Sequence, residues 1–151
     1  MDRNMINVRD LRIGNWVYDG DRTQFPMWVC SVQHDGYVTL DFRANEGMPW
    51  DANARDLEGI PVTIELLKKI GFKEDTTAGE PWKFWRYWDK NDRYKLDVYP
   101  DELYCNSDRK FGLHVDNGVF DSIGSGEFTY LHELQNLVSA IAKEELEVKP
   151  W

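Results

Sequence analysis

The chain is expected to be an α+β protein, with a small SH3-like β-barrel or curled sheet followed by antiparallel hairpins and two packed helices. Two observations predict this class. Short apolar-alternating runs broken by tight polar turns fill the first 62 residues. After them come two stretches with helical apolar spacing and recognisable end signals. The division is placed at residue 62, with a β lobe at 1–62 and an α+β lobe at 63–151. A chain of this length suits one compact domain or two small lobes sharing a core. No internal repeat and no low-complexity linker divides it.

The first strand is expected over Arg12 to Tyr18, breaking at Asp19-Gly20-Asp21. Met27 to Gln33 and Tyr37 to Arg43 form a hairpin whose register depends on its loop. A two-residue Asp35-Gly36 loop sets Cys30 against Asp41. A three-residue loop, His34-Asp35-Gly36, instead pairs Val32 with Val38, Cys30 with Leu40 and Trp28 with Phe42, leaving Ser31 opposite Thr39. A one-residue slip flips every side chain, so the apolar-on-apolar register is preferred, with Gly36 left-handed and His34 a solvated turn residue. Gly47 to Asn53 reads as loop, and Ala54 to Ile60 as a returning strand.

Thr63 reads as the N-cap of the first helix, with Val62 and Leu67 forming a hydrophobic staple. Leu66, Leu67 and Ile70 share its apolar face, Lys68 and Lys69 suit its last turn, and Gly71 suits its end. Strands follow at Trp82 to Trp88 and Tyr94 to Tyr99, around the polar turn Asp89 to Arg93. Phe111 to Val115 and Val119 to Ile123 flank a strong Asp116-Asn117-Gly118 turn signal. The last helix spans Leu131 to Ala142, with Leu131, Leu134, Leu137, Val138 and Ile141 as its buried stripe.

Composition narrows the function. The net charge is −9, from 18 Lys plus Arg against 27 Asp plus Glu. That excess repels phosphate backbones and disfavours general nucleic-acid binding, while favouring a basic partner. No window approaches the ~18 apolar residues of a membrane span, and the start lacks the apolar stretch of a signal peptide. Cys30 and Cys105 fit no metal or redox spacing and read as reduced thiols of a cytoplasmic protein. Aromatic residues make up 14% of the chain, including seven Trp, which is a large payload for one core.

Several clusters bear on chemistry. In Trp82-Lys83-Phe84-Trp85-Arg86-Tyr87-Trp88, Trp82, Phe84 and Trp88 face one way on a strand, and Trp85 and Tyr87 the other. The Trp85 and Tyr87 face is either an exposed stacking platform beside Lys83 or core beneath a helix. On the last helix His132, Gln135, Asn136 and Ser139 share a face, which is either a polar contact surface or a solvated or hydrogen-bonded helix side. His132-Glu133 is not a zincin motif, because Asn136 stands where the second His would be. The Asp19 and Asp89 turns lack the glycine and glutamate of a calcium loop. There is no phosphate loop, no dinucleotide fingerprint and no nucleophile elbow, so no cofactor and no metal are expected. In a two-residue register His114 faces Asp121; a slipped register breaks that pair.

Three segments, Leu11-Arg12-Ile13-Gly14-Asn15-Trp16-Val17, Gly59-Ile60-Pro61-Val62-Thr63 through Gly71-Phe72, and Tyr130-Leu131-His132-Glu133-Leu134-Gln135-Asn136-Leu137, carry a resemblance. Together they resemble a family of small uncharacterised proteins from gut anaerobic bacteria, often prophage- or mobile-element-associated, with the patterns LRIGNxV, GIPLTxExLxxxGF and YVHQLQNL. Glu133 departs from the family's Gln, and the stretch from Lys73 to Gly124 matches no fixed pattern. The resemblance implies a bacterial, cytoplasmic and phage-derived protein. It brings no known activity, and it points to Arg12 to Asn15 and the His132 to Asn136 helix face as shared elements. Met5 stands where such proteins often start, which makes residues 1–4 a dispensable extension.

The leading expectation is a non-catalytic accessory module that binds another protein or a peptide, with Trp85, Tyr87, His132, Gln135 and Asn136 as candidate binding residues. A second is an acidic regulator of a nucleic-acid-binding host protein. A third is an enzyme using His132 or Cys105 in an inter-lobe cleft. Oligomeric state is left open.

Overall fold

A computed structural model describes residues 6–20, 25–42, 49–77, 83–89, 93–100, 110–117 and 122–146, with Asn91 and Val148. Among the described residues it is α+β, with ten strands in two five-stranded antiparallel sheets and two helices. Two compact units result. The first takes Met1–Pro61 and Tyr130–Asn136; the second takes Val62–Thr129 and Leu137–Pro150.

In the first unit the strands are β1 (Trp16–Asp19), β2 (Pro26–Val32), β3 (Tyr37–Asp41), β4 (Trp50–Asn53) and β5 (Leu57–Gly59). Their order is β4-β3-β2-β1-β5, an open ladder rather than a closed barrel. Its apolar face buries Val17, Val29, Val38, Leu40 and Leu57 completely. Burial of each such side chain contributes about 1.5–3 kcal/mol. Arg12 to Asn15 is a turn rather than the start of a strand. Asn15 N–H donates to the Arg12 carbonyl, and Gly14 has φ +94°, which favours glycine there.

The β2–β3 hairpin begins as expected, with Val32 opposite Val38 and Ser31 opposite Thr39. A bulge at Cys30 then shifts the ladder, so Val29 meets Leu40 and Trp28 meets Asp41. The expected pairs Cys30 with Leu40 and Trp28 with Phe42 are therefore corrected. The extra residue brings Met27 and Val29 to the core face, where both are buried. Gly36 has φ +93° and His34 is exposed in the turn, as expected. The loop expected over Gly47 to Asn53 is corrected at its end, because Trp50–Asn53 is β4 and pairs with β3. The strand expected over Ala54 to Ile60 is shorter, since Ala54–Asp56 forms a 3₁₀ turn.

That turn is one copy of a short repeat, which corrects the expectation of none. Asn7-Val8-Arg9-Asp10-Leu11 and Asn53-Ala54-Arg55-Asp56-Leu57 share the pattern N-x-R-D-L. Each forms a 3₁₀ turn whose Asn side chain accepts from the Arg backbone N–H two residues on. Each closes with the Leu N–H on the carbonyl three residues back and buries that Leu. Asn satisfies an otherwise unpaired helix-end donor, and the following apolar residues tie the turn to the core.

In the second unit α1 (Ile64–Ile70) starts at Thr63, whose hydroxyl accepts from Leu66 N–H at 3.1 Å, and ends at Gly71 with φ +122°. Its sheet has the order β10-β9-β8-β7-β6. The strands are β6 (Lys73–Asp75), β7 (Phe84–Trp88), β8 (Tyr94–Pro100), β9 (Phe111–Asn117) and β10 (Ser122–Phe128). β6 is a strand beyond those expected from the sequence. β10 lies further along than the expected Val119 to Ile123, so His114 stands opposite Ser125. This corrects the register that faced His114 with Asp121. Packing gives the reason: the Phe111 and Phe128 rings stack at 5.5 Å, and Gly124 and Gly126 leave no room for a Cβ beneath Ile141 and Leu137.

The last helix, α2, spans Leu131–Ala142 as expected. Leu131, Leu134 and Val138 are buried. Glu133 reaches back to accept from Tyr130 N–H at 3.0 Å, satisfying a donor at the helix start. Among the described residues no helix is long and apolar enough to cross a membrane.

Candidate functional site: the polar face of the second sheet

Alternation along β7, β8 and β9 gives the second sheet two unlike faces. One carries Trp85, Tyr87, Leu96, Val98, Leu113 and Val115. The other carries Phe84, Arg86, Trp88, Lys95, Asp97, Tyr99, His114 and Asp116. Cross-strand pairing sets the charged residues of the second face side by side. Arg86 stands opposite Asp97, Asp97 opposite His114, and Lys95 opposite Asp116.

The result is a ladder of matched charges. Arg86 binds Asp97 with two parallel hydrogen bonds, Nε to Oδ1 at 2.7 Å and a terminal nitrogen to Oδ2 at 3.1 Å. It also approaches Asp75 at 3.5 Å. Lys95 Nζ lies 3.0 Å from Asp116 Oδ2 and 4.0 Å from Asp97 Oδ2. His114 Nε2 lies 3.0 Å from Asp116 Oδ1. Lys95, Asp97 and Asp116 are buried, so each needs these partners to offset lost hydration. Burial works to raise the Asp116 carboxyl, but the hydrogen bond and charge of Lys95, with His114, hold it below the usual carboxylate range.

Trp88 closes one end. Its ring is 46% exposed, with the Lys95 ammonium 5.7 Å and the Arg86 guanidinium 6.0 Å from its centroid. Beside it is a depression of about 300 Å³ lined by Gly71, Lys73, Glu74, Asp75, Arg86 and Trp88.

The residues singled out from sequence fall elsewhere. Trp85 is 4% exposed on the apolar face. Tyr87 is partly buried there, packed on Phe72 at 5.4 Å and Tyr94 at 6.5 Å. The exposed tryptophan of that strand is Trp88, on the opposite face. The signal that could have found it is the set of charged residues at alternate positions, Arg86, Lys95, Asp97, His114 and Asp116.

His132, Gln135 and Asn136 belong to the first unit. His132 is 4% exposed and stacks on Tyr130 at 6.0 Å. Gln135 and Asn136 join an amide network around the Gly14–Asn15 turn. The Gln135 carbonyl accepts from Trp16 N–H at 2.9 Å, and its amide donates to the Gly14 carbonyl at 3.0 Å. Asn15 donates to Asn136 at 3.0 Å and accepts from Arg12 N–H at 2.7 Å, while Asn136 donates to the Asp10 carbonyl. These side chains spend their hydrogen bonds inside the unit.

Catalytic geometry is thin. Ser125, His114 and Asp116 supply the residue types of an acyl-transfer triad, but no hydrogen bond joins Ser125 to His114. Cys30 is a free thiol, pushed up by burial and by the Asp41 charge, the reverse of an activated nucleophile. Cys105, Trp82 and Asp121 lie outside the described residues. Among the described residues no group of three His, Cys, Asp or Glu is placed to hold a metal ion. No family model matches the chain, and no curated protein or solved structure shows significant similarity to it.

Proposed function

We propose that the chain is a non-catalytic module that binds another protein or a peptide. The half-exposed Trp88 ring, held over Arg86 and Lys95 at the rim of the 300 Å³ depression, carries this reading. Tryptophan and arginine are the residues most enriched at binding hot spots, and a clamped Arg86 costs little entropy to hold in place. The matched ladder supports the non-catalytic part, since its buried acids and bases already neutralise one another. The net charge of −9 favours a basic partner. The strand order β4-β3-β2-β1-β5, with a 3₁₀ turn leading into β5, supports an SH3-like descent for the first sheet. The sequence resemblance extends the proposal to a phage or mobile-element origin and a cytoplasmic setting.

Selection from a random peptide library tests it. The whole chain enriches a peptide family, and Trp88→Ala weakens the selected peptides at least about tenfold. No enrichment, or equal binding by both proteins, overturns the reading.

A further inference from the structure

A second depression, of about 260 Å³, opens on the same polar face. Tyr99 from β8, His114 from β9, and Ser125 and Glu127 from β10 line it, with Gly112 among them. The register accounts for the hole. Tyr99, Gly112 and Glu127 stand in one row across three strands, and Asp97, His114 and Ser125 in the next. Gly112 has no side chain to fill its place. A slot one side chain wide is left between the Tyr99 ring and the Glu127 carboxylate.

The lining is rich in acceptors. Among the described residues the exposed Glu127 carboxylate and the Ser125 hydroxyl have no partner, whereas Asp75, Asp97 and Asp116 each have a cation. Asp116 is already matched, with Lys95 Nζ 3.0 Å from one carboxylate oxygen and His114 Nε2 3.0 Å from the other. Tyr99 adds an aromatic wall suited to a cation. A carboxylate, a hydroxyl and an aromatic ring together suit an ammonium or guanidinium group.

We infer that the slot over Gly112 takes a lysine or arginine side chain of a protein partner. The inference rests on the protein-binding reading and gives it a recognition element at a second place on the same face. Local charge agrees with global charge, because the unmatched carboxylate belongs to a chain of net charge −9.

An amide-shift titration of the whole chain decides it. The probes are capped tripeptides with lysine, arginine or norleucine between glycines. The lysine or arginine peptide moves the amides of Gly112, Ser125 and Glu127 in a saturable way, and the norleucine peptide does not. Glu127→Gln weakens that binding at least about fivefold, and its exposed position keeps the fold intact. Gly112→Val closes the slot. Equal shifts with norleucine, shifts clustered elsewhere, or no effect of either variant overturn the inference. Saturable binding at Gly112 upholds the slot even where library peptides ignore Trp88. Library peptides that depend on Trp88 but leave Gly112 unmoved overturn the slot alone.

Discussion

The two units each contain a buried polar network, and the two are built from different chemistry. In the first unit Asn15, Gln135 and Asn136 are neutral amides that bond chiefly to backbone groups of a glycine turn. In the second, Arg86, Lys95, Asp97, Asp116 and His114 bond to one another across neighbouring strands. An amide carries donor and acceptor together, so one Gln satisfies a backbone N–H and a backbone carbonyl at once. A charge satisfies only its opposite and must be matched within the network. The first network therefore fixes a turn and is indifferent to pH. The second fixes a face and depends on protonation.

The largest effect is expected at Gln135. Gln135→Leu leaves Trp16 N–H buried without its acceptor and Gly14 carbonyl without its donor, and these two orphaned groups together cost about 4 kcal/mol. Gln135→Glu costs nearly as much, because a carboxylate accepts from Trp16 but cannot donate to Gly14. Urea unfolding measures both. A Glu variant as stable as wild type would show that the donor side of the amide contributes nothing, and the comparison would lose its basis.

Lys95→Met comes next. It leaves Asp116 and Asp97 short of a cation in a buried setting, at a cost of about 3 kcal/mol at pH 7. The second change Asp116→Asn should restore part of that loss. The pH dependence has a definite sign. Asp116 and Asp89 are held below their unfolded values, Asp89 chiefly by the Arg93 hydrogen bond. Their stabilisation is present above the unfolded carboxylate pKa of about 3.9 and is lost as pH falls through the folded values. The Lys95→Met penalty should thus shrink between pH 5 and pH 2, within about that window, while the Gln135→Leu penalty holds steady. Equal pH dependence of the two variants would break the distinction between the networks.

Much of this was legible in the sequence, for local reasons. Thr63 and Gly71 mark the ends of α1 by their own backbone chemistry, and the leucine spacing marks α2. The shared face of His132, Gln135 and Asn136 was legible too, because helical periodicity alone sets it. What covers that face was not, since the Gly14–Asn15 turn lies 120 residues away in the chain. The ladder was illegible for the same reason: matching Arg86 to Asp97 and Lys95 to Asp116 requires the registers of two hairpins. The β9–β10 register, which sets His114 opposite Ser125, was illegible too, because it depends on a bulge near Gly124 and on packing under Leu137 and Ile141 rather than on the turn residues. The Cys30 bulge defeated the first hairpin likewise, because an inserted residue leaves no mark in an alternating pattern.

The smallest effect should come from Trp85, which sharpens the comparison by belonging to neither network. Among the described residues its buried indole N–H has no hydrogen-bond partner, a donor that neither an amide nor a carboxylate there reaches. An unpaired buried N–H costs about 1–3 kcal/mol. Trp85→Phe removes that orphan while keeping a ring against the apolar face. The lost area costs stability and the lost orphan returns some, so the net change is expected within about 1 kcal/mol, well below the ~3 kcal/mol or more of a fully buried large-to-small change. Urea midpoints of Trp85→Phe and Trp85→Leu separate the two contributions, since both remove the N–H and only the second removes the ring. A Phe variant destabilised by about 3 kcal/mol or more would mean that the indole N–H has a partner in solution, such as a bound water, and that the apolar face also carries a polar site.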